Sequence, residues 1–429
     1  MNKHSILLIS ILLLTIKVLF ISCNNRNTTN ENNYGAKTKE LIRIVDSNPK
    51  IKSLLIEAIN KAHEINPDTS TNPVQNLEEF YKFISGSETA MSWDLVRHTE
   101  HSTLYNRIDQ SLAYLFFITD IPLPQVEGKG YNNSLQYEEP FCSWLTSFNK
   151  GWGKFLDSKE SWNKDYYKLA LTENKFGLKN DWYEDTSNWK TFNQFFARRL
   201  KSPDKRPVAL PEDESVVVSP ADSTPQGKWA IDNNSNILEQ EGVNVKSGTL
   251  HSIKKLLGEA SKYKDAFSGG TFTHTFLDVG DYHRYHFPLS GVVKEVRLIP
   301  ATNTFGGFIT WDTHKKKYLF DPTGMGYQII ETRGCIILET EKHGSAALLP
   351  IGMSPVCSVN FLEKIKGGIK VKKGDEMGYF LFGGSDFIMV FQNQAGFIID
   401  APKEEGSGFY KHLFIGERYE RLSLNVTEN

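Results

Sequence analysis

The chain has 429 residues, 39% of them hydrophobic and 23% charged, with a net charge of −2. Length and balance suit a globular protein of two or three domains, and the near-zero net charge excludes a basic nucleic-acid surface as its organising feature. Four cysteines, Cys23, Cys142, Cys335 and Cys357, show no metal-ligand spacing and are too sparse for a disulfide framework.

The first 23 residues read as an address. Lys3 and His4 precede the apolar run SILLISILLLTI, and KVLFISC follows. A basic start, a short apolar run and a small residue before the end make a secretory signal. Its ending at Cys23 resembles a bacterial lipoprotein signal, which implies lipidation of Cys23, export and attachment to a membrane. Lys17 and Phe20 depart from that pattern. An uncleaved anchor is the alternative, although the twelve apolar residues before Lys17 fall short of the ~20 that a spanning helix needs. Residues 24–36, Asn-rich and without apolar period, read as a disordered tether. The remaining cysteines read as buried side chains.

From 37 to 190 the pattern is helical. Ile51, Leu55, Ala58, Ile59 and Ala62 recur at helical spacing, as do Leu104, Ile108, Leu112 and Leu115. This region carries no recognisable catalytic constellation, so its expected role is structural or to shape a substrate entrance. After about residue 210 the runs become short and β-rich: SVVVSP, SGVVKEVRLIP, YQIIETRGCIILETE and FIMVF, separated by turn residues. Arg333-Gly334 is expected to be a hairpin turn. The fold class is therefore α+β: a helical N-terminal region, then an antiparallel-sheet domain over 191–429.

Three β-rich stretches carry reactive groups: SPADS with Asp222, GDYHRYHFPLSG with His283 and His286, and GGSD with Ser385. Serine, histidine and aspartate can serve as nucleophile, base and orienter. Each also has a plainer reading. Asp222 can close a turn after Pro220, either histidine can be a satisfied core residue, and Gly383-Gly384-Ser385 can be a turn before the strand Phe387-Ile388-Met389-Val390-Phe391. The histidine pair lacks a third ligand and HExxH spacing, so no metal is expected. GGSD lacks the Gly-x-Ser-x-Gly elbow of many hydrolases and precedes a strand rather than a helix.

Four segments in order resemble the phosphatidylserine decarboxylase family. TFNQFFARRLKSPDKRP (191–207) resembles its Phe-Phe-x-Arg-x-Leu segment, VVSPAD its Ser-Pro-x-Asp-Gly segment, and DYHRYHFP its Tyr-His-Arg-x-His-x-Pro segment. KGDEMGYFLFGGS resembles the stretch that ends at its self-cleaving serine. Where that family commonly has Leu-Gly-Ser-Thr, this chain has Gly383 for the leucine and Asp386 for the threonine, and Ser223 follows Asp222 in place of glycine. The Gly-Gly-Ser site, the long N-terminal region and GKFLDSKESWN (153–163) resemble the L-tryptophan decarboxylase branch.

The resemblance implies a pyruvoyl cofactor generated from Ser385 by cleavage between Gly384 and Ser385. It also implies His286 as base for that cleavage, Asp222 as the residue that orients the base, and His283 as proton donor in decarboxylation. The implied products of processing are α and β fragments held as a heterodimer. The implied reaction takes phosphatidylserine to phosphatidylethanolamine and carbon dioxide. A free aromatic L-amino acid is the alternative substrate. The rival classes are an unprocessed membrane-tethered binding protein and a Ser-His-Asp hydrolase. A homo-oligomer is left open, and no nucleic-acid partner is expected.

Overall fold

The computed structural model describes residues 33–96, 103–126, 133–238, 252–301, 306–321 and 326–423. The signal, Cys23 and most of the expected tether lie outside the described residues. The tether's last residues do not: Gly35 donates its amide to Ser85 Oγ, and the first helix starts at Ala36.

The helical region comprises α1 (Ala36–Ser47), α2 (Pro49–Ile65), α3 (Leu77–Ser87), α4 (Leu104–Asp120), α5 (Phe141–Leu156) and α6 (Lys164–Thr172). Side chains that compete poorly within helices start several of them, because they accept otherwise unmet first-turn amides. Asn48 does so for α2, Asn76 for α3, Thr103 for α4 and Asn163 for α6. The stripe Ile51, Leu55, Ala58, Ile59 and Ala62 is buried, as its spacing predicts. Along α4, Leu104, Ile108 and Leu115 are buried too, but Leu112 is only partly covered.

The helical core does not stop near 190. It runs into α7 (Phe192–Phe196) and takes in Tyr318 and Phe382 from the β-rich part. Tyr318 lies in the hairpin of β6 (Phe308–Asp312) and β7 (Lys317–Asp321). Gln110 of α4 clamps that hairpin by donating to the Tyr318 carbonyl at 2.8 Å and accepting the Tyr318 amide at 2.7 Å.

The other strands are β1 (Val216–Val218), β2 (Thr224–Ala230), β3 (Thr271–Leu277), β4 (Arg284–His286), β5 (Gly291–Ile299), β8 (Thr332–Glu339), β9 (Ser345–Pro355), β10 (Asn360–Phe361), β11 (Lys370–Val371), β12 (Glu376–Tyr379), β13 (Gly383–Phe391), β14 (Phe397–Ile399) and β15 (Arg418–Leu422). Seven form an antiparallel sheet in the order β11-β5-β8-β9-β13-β3-β2, which bears out the expected fold class. Strand β13 sits inside this sheet, and successive side chains alternate between its faces. Phe387, Met389 and Phe391 enter one core; Ile388 and Val390 enter another, beside the helix α8 (Ile253–Leu257). A strand covered on both faces reads as a continuous apolar run, which explains FIMVF.

One expectation fails. Arg333 and Gly334 are not a turn; they lie within β8, paired with Ile299 and Leu298. The glycine admits Phe361, whose ring atom would lie 2.4 Å from a Cβ there. Arg333 donates to the carbonyls of Lys255 and Leu256, which end α8. Of the cysteines, Cys142, Cys335 and Cys357 are buried and free. Among the described residues no helix is long and apolar enough to cross a membrane.

Candidate active site

Ser385 opens the buried part of β13. It pairs with Leu277 of β3 and Gly352 of β9, and the ladder to β9 shifts register between Gly383 and Ser385. The irregularity thus falls on the two peptide bonds before the serine. Such bulges re-aim the backbone. Gly383 has a φ of 155°, and a Cβ on it would come within 2.9 Å of the Met353 carbonyl oxygen. A side chain at 383 would therefore be both strained and crowded. Ser385 is fully buried, and its hydroxyl has no hydrogen-bond partner among the described residues. A hydroxyl that only closed a turn would be paired or wet, since burying an unmet polar group is costly.

The segment before the serine is gripped by the helical region. The Phe382 amide donates to Asn193 Oδ1 at 3.0 Å, and its ring lies against Trp152, Phe192 and Phe196. Phe196 also stacks on His283, with ring centroids 3.8 Å apart. His283 is fully buried, and no side chain among the described residues hydrogen-bonds either ring nitrogen. Burial first, then the nearby Arg198 guanidinium, hold its pKa well below 6.5; backbone groups at Val279 and Asp278 offset this only in part. His283 is accordingly neutral near neutral pH, not poised at an ordinary histidine pKa as the isolated side chain suggests.

His286 faces the other way, into a cleft of about 680 Å³ that Tyr282 and Arg206 also line. Its Nδ1 lies 2.8 Å from the Gly374 carbonyl oxygen, which can only accept, so that nitrogen carries the proton. Nε2 is then left as the basic atom, 3.4 Å from the Tyr282 hydroxyl. Burial lowers the His286 pKa from 6.5, against the Gly374 carbonyl and the charges of Glu376 and Asp222, which raise it.

Asp222 is buried beside this cleft, but its hydrogen bonds go elsewhere. Arg206 donates to both its oxygens, at 3.1 and 2.7 Å, and the Ile415 amide donates at 2.8 Å. The Arg206 guanidinium is itself held between the rings of Trp182 and Phe414, 4.4 and 4.5 Å from their centroids. Asp222 thus acts on His286 through its field and not by a hydrogen bond. Gly374 supplies the contact that orients the ring. No hydrogen bond joins Ser385 to either histidine among the described residues.

Two groups escaped notice in the sequence. Arg206 sits within the quoted segment, where any of several basic residues was an equal candidate. The other is a buried network behind the serine. Asp386 points to the opposite face of β13 and meets His274 Nδ1 at 2.9 Å, the Tyr327 hydroxyl at 2.9 Å and Gln328 Nε2 at 3.1 Å. His274 stacks on Trp229. A carboxylate with these donors is fully satisfied, and it leaves the face that carries the Ser385 side chain unobstructed.

A buried serine whose hydroxyl has no partner among the described residues, placed after two glycines in a segment linked to His283 through Phe382 and Phe196, suits conversion of that serine to a pyruvoyl group. Known proteins resemble this chain over the same β-rich part. The phosphatidylserine decarboxylase family profile matches residues 192–417. A phosphatidylserine decarboxylase proenzyme of Fusobacterium nucleatum subsp. nucleatum is 32% identical over 269 residues, covering 62% of this chain and 81% of that protein. A phosphatidylserine decarboxylase proenzyme of Clostridium novyi is 30% identical, covering 63% of this chain and 83% of its own length. Proenzyme 2 of Oryza sativa subsp. japonica is 31% identical over 58% of this chain, which spans only 37% of that longer protein. The chain belongs to the phosphatidylserine decarboxylase family, the carboxy-lyases whose pyruvoyl group arises by self-cleavage of a proenzyme.

Proposed function

We propose that this chain cuts itself between Gly384 and Ser385 and then decarboxylates the serine head group of phosphatidylserine to give phosphatidylethanolamine. The observation that carries the reading is the buried, unpartnered Ser385 hydroxyl at the bulge. In the cut, Oγ bonds to the Gly384 carbonyl carbon as the Gly384–Ser385 C–N bond breaks, and the hydroxyl proton passes to the freed amine. His286, neutral because it is buried, takes and returns that proton once the strand brings the two together. Asp222 favours the transient imidazolium electrostatically, and Arg206 holds Asp222 in place. Loss of the residue-385 α-proton and cleavage of the Cβ–Oγ bond then free the Gly384 carboxylate. Water hydrolyses the resulting dehydroalanine and ammonia departs.

The pyruvoyl group so made supplies a reactive carbonyl and an electron sink for loss of carbon dioxide. His283, neutral at rest and next to the serine segment through Phe196, relays a proton from water to the substrate carbon. Arg199, Lys201, Lys372 and Lys373 line the His286 cleft together with Asp204, Asp375 and Glu376, and these cations are suited to a lipid phosphodiester. Cys23 in FISC is the proposed attachment point to the membrane.

The test offers purified, processed protein phosphatidylserine in vesicles and a panel of free amino acids, and measures carbon dioxide and the amine product. Turnover of the lipid supports the reading. Turnover of tryptophan or tyrosine alone would replace the substrate and keep the chemistry. A single uncut chain, inert towards both, would make it a binding protein. Cys23→Ala should move the protein out of the membrane fraction; continued retention would refute the lipid anchor.

A further inference from the structure

The turn at 278–281 leads into His283 and is held from two sides. It first closes on itself: the Asp281 amide donates to the Asp278 carbonyl at 2.9 Å, and the Asp278 amide donates to Asp281 Oδ2 at 2.8 Å. From the helical region, Arg198 donates to the carbonyls of Gly280 and Asp281. Tyr105 of α4 donates to Asp278 Oδ2 at 2.7 Å, and Lys175 Nζ lies 3.6 Å from the same oxygen. From the far end of the chain comes His412, whose Nε2 lies 2.9 Å from Asp281 Oδ1. Its neighbours place it there. Leu413 exchanges both backbone hydrogen bonds with Ser223, and the Ile415 amide donates to Asp222. The stretch 412–415 thus touches two carboxylates, Asp222 and Asp281, and it belongs to the fragment that would begin at Ser385.

An exposed ion pair is worth little, but here the carboxylate is only 14% exposed. Burial pushes the Asp281 pKa up to about 6; His412 restrains that rise, and the fields of Asp222 and Asp278 add to it. Without His412 the carboxyl would be partly protonated near neutral pH, and a poorer acceptor for the Asp278 amide that closes the turn. The backbone at Asp278 and Val279 lies against the His283 ring and favours its charged form, so a loosened turn weakens His283 as a proton carrier. Resting on the reading that His283 relays the proton in decarboxylation, we infer that His412 is its positioning residue: from the downstream fragment it fixes, through Asp281, the turn on which His283 depends.

The test compares wild type with His412→Ala and His412→Gln; the glutamine amide nitrogen can stand where Nε2 stands and still donate to Asp281. Self-cleavage shows that each variant has folded. Hydrogen–deuterium exchange of the peptide spanning 276–287, read by mass spectrometry, reports the turn itself. His412→Ala should speed its exchange about tenfold, the scale of losing one hydrogen bond to a charged group, while His412→Gln stays near wild type. Steady-state kinetics on short-chain phosphatidylserine, or on tryptophan if the wild type turns over only that, should show kcat down about tenfold or more in His412→Ala. KM should stay within about twofold, and His412→Gln should recover most of the lost kcat. Faster exchange with unchanged kcat would make the pair a structural contact and overturn this inference alone. So would a glutamine variant as slow as the alanine one, or an alanine variant that fails to cut. A wild-type chain that never cuts, or that cuts and turns over neither substrate, would overturn the underlying reading and this inference with it.

Discussion

Asp386→Asn should destabilise the uncut protein without preventing the cut. The Asp386 carboxylate accepts from His274 Nδ1, the Tyr327 hydroxyl, Gln328 Nε2 and the Phe387 amide, in a region where Asp386 and His274 are both fully buried. Asparagine has nearly the same shape, but one of its two polar atoms is a donor and would face donors. The negative charge that compensates them is gone. Removing one partner of a buried, hydrogen-bonded charged group costs about 3–5 kcal/mol. That is a large share of the ~5–15 kcal/mol by which a domain is stable. The measurement is denaturant unfolding on a Ser385→Ala background, so that every molecule is uncut. Pairing with His274→Gln in a double-mutant cycle should give a coupling of about 2 kcal/mol, because the residues share one network. With Ser385 intact, Asp386→Asn should still cut to completion, since the two side chains occupy opposite faces of β13. A stability loss below about 1 kcal/mol, or additive single effects, would refute the charge-compensation reasoning.

Three further outcomes follow from the site. His286→Ala should leave uncut precursor on a denaturing gel, whereas His283→Ala should cut but release carbon dioxide slowly; equal blocks to cutting would refute the division of roles. Arg206→Ala strands the Asp222 carboxylate and should behave like Asp222→Ala, accumulating precursor and losing about 3–5 kcal/mol of stability. Because burial puts the His286 pKa below 6.5, the neutral base persists as pH rises and is lost only in acid. The cutting rate, followed by quenched gel time courses, should therefore be flat above about pH 7 and halve at a pH below 6.5.

The strand after Gly-Gly-Ser was legible because a fully buried central strand needs an unbroken apolar run, and FIMVF is one. The α2 stripe was legible because its period matches the helix. Arg333-Gly334 misled because glycine in a strand and glycine in a turn look the same until Phe361, 27 residues on, shows what fills the missing side chain's place. Asp222 was legible as a candidate, but its partner was not, since nothing in the spacing singles out Arg206 from its basic neighbours. The His274–Asp386 pair was the least accessible. Its members are 112 residues apart, and only the β3–β13 register brings them together.

That register also explains how a chain designed to be cut can remain one object. Cleavage would separate residues 385–429 from the rest. Strand β13 then stays between β3 and β9, both on the other fragment, and β15 stays paired with β1. The upstream end is secured independently, through Phe382 in the helical core and its amide on Asn193. The two new ends are thus held by different parts of the fold, one by the sheet and one by the helices. An enclosed carbonyl between them needs both. The helical region is on this view a component of the site: it fixes the end at Gly384, supplies Phe196 against His283, and through Leu112 and Phe116 walls a cavity that opens on Gly384.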